Sequence, residues 1–309
     1  MVAFKSIRIA SSIAMLTLVH APSLYAQSTS PADLLGQAAV PGERLQYGSA
    51  SLQFGELRVP NGSGNHPLAI LVHGGCWAAK LGNLPEAATS LDLLRPVSVA
   101  LAERGIATWN IEYRRLGNDG GGWPGTYEDV AKATDFVRQL APKHRLDLQR
   151  VVLVGHSSGG HLAFWLAARH KLPADSPLHA VAPLRVAGVV SIDGPPDLES
   201  IIGFERQVCG APVVEQLLGG SPTEFPARYR EASAAGLLPI GTRQEMLIGG
   251  RLPAQWIDAM KSYATAAKSA GDPLTVTTME SAGHFDGLNP KAPAWATVVA
   301  SIQSIIRKD

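Results

Sequence analysis

Residues 151–162 restrict this chain more than any other segment. The apolar run Val151-Val152-Leu153-Val154 enters Gly155-His156-Ser157-Ser158-Gly159 and passes straight into a helical pattern of Leu162, Ala163, Leu166 and Ala167. Strand, tight turn and helix in that order open an α/β unit. A serine at such a turn sits on strained backbone with Oγ projecting clear, and the flanking Gly155 and Gly159 avoid clashes there. The following helix brings backbone N–H groups and a positive dipole end beside it. Ser157 is therefore expected to be a nucleophile, with the Ser158 amide facing a developing oxyanion. The competing reading, a turn without chemistry, leaves the strand–turn–helix context unexplained.

The rest of the chain repeats this alternation. Short apolar runs fall at 68–72, 106–111, 151–154, 186–192, 246–248 and 274–278, and helical patterns such as 127–140 separate most of them. Apolar runs without polar alternation are what a sheet covered on both faces requires. The expected fold is α/β, a mostly parallel central sheet with right-handed crossovers and helices on both faces. Residues 44–59 read as a hairpin ahead of it. The stretch 195–239 breaks the rhythm with several Pro and Gly residues. It is too long for an ordinary connection and is expected to form a cap over the strand ends. A chain of 309 residues, 46% hydrophobic, suits one catalytic domain over 45–309 with that insert. The net charge of +1 gives no reason to expect nucleic acid as a partner.

Two further segments carry chemistry. The run 68–72 ends in His73-Gly74-Gly75-Cys76-Trp77, where small residues let backbone approach a ligand closely, and Gly75 and Cys76 are the expected loop donors to an oxyanion. Ser281-Ala282-Gly283-His284-Phe285-Asp286 follows the last apolar run, the place for a general base in the chain order Ser…acid…His. Of the nine histidines, His284 is the expected base, while His73, His156 and His161 are expected to pack or bond locally.

The acid is less obvious. The stretch after the penultimate run reads Ile248-Gly249-Gly250-Arg251-Leu252-Pro253-Ala254 and holds no carboxylate. Asp193, just after the run 186–192, is preferred; Asp258, a little past the vacant place, is the alternative, and an imidazole without an acid is the third reading. Asp193 before Gly194-Pro195-Pro196 also fits an ordinary turn residue. Trp77 and Trp123 are candidate substrate-binding residues, although a tryptophan in either place serves packing equally well. Glu112, Arg114 and Arg115 read as a surface group that pairs locally.

The N-terminus has the layout of a signal peptide: Lys5 and Arg8, an apolar run over 9–19, then Leu24-Tyr25-Ala26, with the cut expected after Ala26. The apolar run is short of the roughly 20 residues a membrane span needs. Residues 27–44 read as a leader. An exported chain, periplasmic or secreted, retains only Cys76 and Cys209. Two buried, unpaired thiols are the preferred reading over a bridge, which requires Cα atoms within roughly 7 Å.

Taken together, His73-Gly74-Gly75-Cys76-Trp77, Glu112-Tyr113-Arg114-Arg115, Gly121-Gly122-Trp123-Pro124, Gly155–Gly160 with His161, and Gly283-His284-Phe285-Asp286 resemble the α/β-hydrolase superfamily. Within it they look most like the bacterial esterase, arylformamidase and prolyl-oligopeptidase-like branch. The resemblance implies a serine hydrolase that cleaves an ester or small amide through a covalent acyl-enzyme, with a small-molecule substrate and no cofactor or metal. The alternatives are an arylformamidase, a prolyl-oligopeptidase-like peptidase, or a binding protein on a hydrolase scaffold, the last motivated by the vacant acid position. No oligomeric state follows from the sequence.

Overall fold

A computed structural model describes residues 28–37 and 39–307 of the chain. The expected signal peptide and its cut after Ala26 lie outside the described residues. Strands β1 (Glu43–Gln46), β2 (Phe54–Arg58), β3 (His66–Val72), β4 (Ala107–Ile111), β5 (Leu146–His156), β6 (Gly188–Ile192), β7 (Arg243–Gly249) and β8 (Leu274–Met279) form one sheet. Their order is β1-β2-β4-β3-β5-β6-β7-β8. The pairs β1–β2 and β2–β4 are antiparallel, and the remaining pairs are parallel. Every residue of β4 and β6 is buried, as a sheet covered on both faces requires.

Two layers of helices supply that cover. The helices are α1 (Pro31–Leu35), α2 (Arg95–Ala102), α3 (Gly125–His144), α4 (Ser158–Ala168), α5 (Glu205–Cys209), α6 (Val213–Leu218), α7 (Pro226–Ala232), α8 (Ala254–Ser269) and α9 (Ala294–Ile306). Tyr127, Val130 and Val137 of α3 share one core with Leu162 and Phe164 of α4 and Trp256 and Met260 of α8. On the opposite face Val97 and Leu101 of α2 pack with Trp295, Val298 and Ile302 of α9. The α/β architecture read from the sequence is the one observed. Among the described residues no helix is long and apolar enough to cross a membrane.

Two stretches depart from the regular alternation. The one read as a leader is attached to the body: Ser30 and Asp33 form a capping box at the start of α1, and Leu34 is fully buried beside Leu93 and Leu94. The insert between β6 and β7 contains α5, α6 and α7, and Val213, Val214, Leu217 and Leu218 sink into the core shared by α3 and α4. Its tethers are Trp123 N–H to the Leu217 carbonyl at 2.8 Å and the Trp165 indole N–H to the Glu231 carbonyl at 2.9 Å. A third is covalent. The thiols expected to be unpaired form a Cys76–Cys209 disulfide with Cα atoms 5.8 Å apart. The correction comes from how the insert folds back: it brings α5 beside the loop after β3, a proximity invisible across 133 residues of sequence.

Candidate active site

Strand β5 ends at His156, and α4 begins at Ser158; Ser157 is the turn between them, at φ 54°, ψ −124°. A non-glycine residue in that region carries strain of about 1–3 kcal/mol, and the surrounding contacts hold it in place. Ser157 N–H donates to the Ile192 carbonyl at 2.8 Å, which ties the turn to the end of β6. The two glycines make the turn sterically feasible: a Cβ on Gly155 would lie 2.1 Å from the Gly159 carbonyl oxygen. Ser157 is buried, and among the described residues its Oγ has no hydrogen-bond partner. Such contacts often close only around bound substrate.

The loop after β3 lies directly against this turn. A Cβ on Gly74 would meet the His156 carbonyl oxygen at 2.8 Å and Ser157 Cβ at 3.0 Å. Beyond it Gly75 has φ 111°, and Cys76 and Trp77 both have φ 54°. Among the described residues no acceptor takes the amide N–H of Gly75, Cys76 or Ser158. Unclaimed donors on both sides of a buried serine are the raw material of an oxyanion hole.

His284 lies on the loop after β8, and its Nδ1 is 3.2 Å from Asp193 Oδ2. Asp193 follows β6 at φ 57° and is fully buried. Its Oδ1 accepts the Gly249 N–H at 2.7 Å, and its carbonyl accepts the Trp256 indole N–H at 3.0 Å. The stretch without a carboxylate is thus occupied from the neighbouring strand. A Cβ on Gly249 would touch both Asp193 oxygens at 3.4 Å, so a larger side chain there would compete for the same space. Asp258, the alternative, is exposed on α8, and no hydrogen bond joins it to His284.

His156 supports the His284 loop. Its Nε2–H donates to the His284 carbonyl at 2.8 Å, and the two rings lie 4.5 Å apart. Burial, followed by the nearby His284, pushes the His156 imidazole well below its ordinary pKa and keeps it neutral. Asp286 braces the same loop, taking the Gly283 N–H on Oδ2 and the Thr29 N–H on Oδ1, both at 2.7 Å. Ligating atoms of His156, Asp193 and His284 lie within 4.8 Å of one another. His156 Nε2 is taken up by the His284 carbonyl, and Asp193 Oδ2 and His284 Nδ1 by each other.

A family model described as BD-FAE matches residues 57–243. The chain belongs to the BD-FAE family. BD-FAE is an α/β-hydrolase esterase family. The matched span runs from β2 to the start of β7 and includes the loop after β3, Ser157 and Asp193, but not His284. Solved structures share the fold of this BD-FAE family member. A bifunctional GH43-CE protein of Bacteroides eggerthii superposes with TM-score 0.67 at 20% identity, over 84% of this chain and 37% of that one. This chain therefore spans little more than a third of that protein's length. The butyrate-bound esterase Est2 of Thermogutta terrifontis gives TM-score 0.67 at 19% identity, over 86% of this chain and 94% of that one. Phosphonate-inhibited Esterase B of Lactobacillus rhamnosis gives 0.70 at 16%, over 89% of each chain. No curated protein matches.

Trp77, Trp123 and His161 of this BD-FAE family member pack together beside α4 and the insert. Trp77 is fully buried, and its indole N–H donates to His161 Nδ1 at 3.1 Å. The left-handed backbone at Cys76 and Trp77 turns the ring inward onto α4. His161 in turn donates Nε2–H to the Ala232 carbonyl at 2.8 Å, and burial lowers its pKa to about 4. Trp123 remains half-buried at the insert, edge-on to Tyr127.

Glu112 and Arg115 are not on the surface but nearly fully buried beneath the loop after β3. Glu112 Oε1 pairs with His73 Nε2 at 3.0 Å and Arg115 Nη2 at 3.3 Å. Arg115 also donates to the carbonyl of Thr89, a residue whose Cα and Cβ pack against Gly75. Burial alone would raise the Glu112 carboxyl; His73, Arg115 and the Tyr113 N–H outweigh it and bring it below its usual value. Only Arg114 is partly exposed, in a two-pronged pair with Asp129.

Proposed function

We propose that this chain is a serine carboxylesterase that works through a covalent acyl-enzyme, with Ser157, His284 and Asp193 as its catalytic residues. The supporting observation is the Asp193–His284 contact, made at the loops that flank the Ser157 turn. With Nδ1–H donated to Asp193, the imidazole turns an unprotonated Nε2 outward as a base. His284 then takes the Ser157 hydroxyl proton as Oγ attacks an ester carbonyl. The amides of Ser158, Gly75 and Cys76 hold the tetrahedral oxyanion, and His284 returns the proton to the leaving alcohol. Water repeats the cycle on the acyl-enzyme and restores Ser157.

The insert over 195–239 is assigned the role of shaping the acyl pocket, since its tethers include the loop that carries two of these amides. Export is part of the same proposal. A buried disulfide between the two cysteines left after residue 26 suits an oxidising compartment. Its check is the N-terminal sequence of the secreted protein, expected to begin at Gln27.

The deciding experiment is active-site labelling with a fluorophosphonate, followed by turnover of p-nitrophenyl esters and aryl formamides. One adduct on Ser157, with esters turned over faster than formamides, is the expected result. An adduct elsewhere, or none, overturns the nucleophile assignment.

A further inference from the structure

The disulfide joins two parts of the molecule that the proposed reaction uses together. Cys76 sits in the loop that carries the unclaimed amides, between Gly75 and Trp77, and Cys209 ends α5 of the insert. Both cysteines are buried. Cys76 and Trp77 hold φ 54°, a conformation L-residues keep only where neighbours over-determine it. Those neighbours can be named. Trp77 is held through His161 to the Ala232 carbonyl at the end of α7, and Gly75 rests on Thr89, itself fixed by Arg115. Cys76 itself is held by the bridge. The insert does not depend on that bond for its own anchorage, because α6 is buried in the core and α7 is bonded to Trp165 and, through His161, to Trp77. What the bond adds is control over where the Cys76 backbone lies.

We infer that Cys209 is a positioning residue for the reaction: through its bridge to Cys76 it fixes the amide donors of the loop after β3 and registers the insert against them. The inference rests on the serine-esterase reading above. It makes turnover redox-dependent. A dithiol reductant supplies two electrons and two protons, the S–S bond becomes two thiols, and the dithiol closes to its own disulfide. Because the bond is buried, reduction must wait for the insert to open, so loss of activity follows the dithiol slowly.

The test uses Cys209→Ser and Cys209→Ala, which leave Cys76 in place, alongside wild-type protein before reduction, in excess dithiothreitol, and after reoxidation. Turnover of p-nitrophenyl acetate is measured well below the thermal midpoint and normalised to fluorophosphonate-titrated sites. Removing one oxyanion donor outright costs about 10²–10³ in kcat, and a displaced donor costs less. The expected result is a loss of about tenfold or more in kcat in both variants and in reduced wild type, with KM changed by less than about twofold. Reoxidation restores wild-type turnover. A merely structural bridge would lower the thermal midpoint and leave kcat per titrated site unchanged, and that outcome overturns the inference. Should the variants not fold, reduced wild type with native circular dichroism gives the same two outcomes. If oxidised wild type does not label on Ser157, the esterase reading itself has failed; equal labelling rates for oxidised and reduced protein refute only the role of the bridge.

Discussion

Asp193 reaches His284 from the end of β6 and at the same time binds the Gly249 amide at the end of β7, so one carboxylate spans two strand ends. In Asp193→Asn the amide oxygen can still accept from Gly249, which leaves NH₂ facing His284 Nδ1. The imidazole is then driven to the wrong tautomer. The fold is expected to persist while kcat at neutral pH falls by as much as about 10⁴-fold. Asp258→Asn changes an exposed helix residue and is expected to leave kcat within about twofold. Steady-state kinetics on one ester compares the two; the reverse ranking would move the acid to Asp258.

Lowering the pH should destabilise the protein before it reaches the carboxylate range. His161 is held neutral by burial, with its pKa lowered from the ordinary 6.5 to about 4, so below pH 6.5 the unfolded chain binds a proton that the folded chain refuses. Its contribution is complete above about pH 6.5 and is lost progressively toward pH 4, at up to about 1.4 kcal/mol per pH unit. His156 acts in the same direction. Denaturant unfolding at pH 7, 6 and 5 measures the slope. His161→Gln, which retains one donor and one acceptor, is expected to flatten it.

Glu112→Gln leaves Arg115 buried without its counter-charge and weakens the contact to His73. Breaking a buried ion pair from one side costs about 3–5 kcal/mol. The denaturation midpoint is expected to fall accordingly, and a change below about 1 kcal/mol would mean that water reaches the group. The charged form of Glu112 is favoured in the fold, so its contribution is present above the ordinary carboxylate pKa and fades as the pH falls through the lowered value.

Asp286→Ala removes the acceptor for both Gly283 and Thr29 and so weakens the tie between the His284 loop and the N-terminal segment. Hydrogen bonds to a charged group contribute about 1.5–3 kcal/mol each. A stability loss of about 3–6 kcal/mol is expected for the two bonds together, smaller in Asp286→Asn, which keeps one acceptor. Equilibrium unfolding of both variants provides the check.

What the sequence disclosed was geometry written into adjacent residues. The glycines around Ser157, the small residues after His73 and the position of His284 past the last strand each describe a local backbone, and each segment sits where its pattern implies. Relations set by folding at a distance were harder to read. Whether Asp193 meets His284 depends on β6 and β7 being neighbours in the sheet, which strand order decides and spacing does not. Glu112-Tyr113-Arg114-Arg115 looks like a surface run, yet three of its four side chains are buried because the loop after β3 lies over them. Thr29 and Asp286 are 257 residues apart, and nothing near either one signals the other.

The Cys76–Cys209 bond closes a covalent ring across a separation of 133 residues. Ser157 and Asp193 lie inside that ring, and His284 lies outside it. In the chain-entropy view a loop of this length removes about 5 kcal/mol worth of freedom from the denatured chain, most of it conformations in which distant parts drift apart. An oxidised chain stripped of all tertiary structure would therefore still carry Ser157 and Asp193 on one bounded circuit, with His284 on a loose arm.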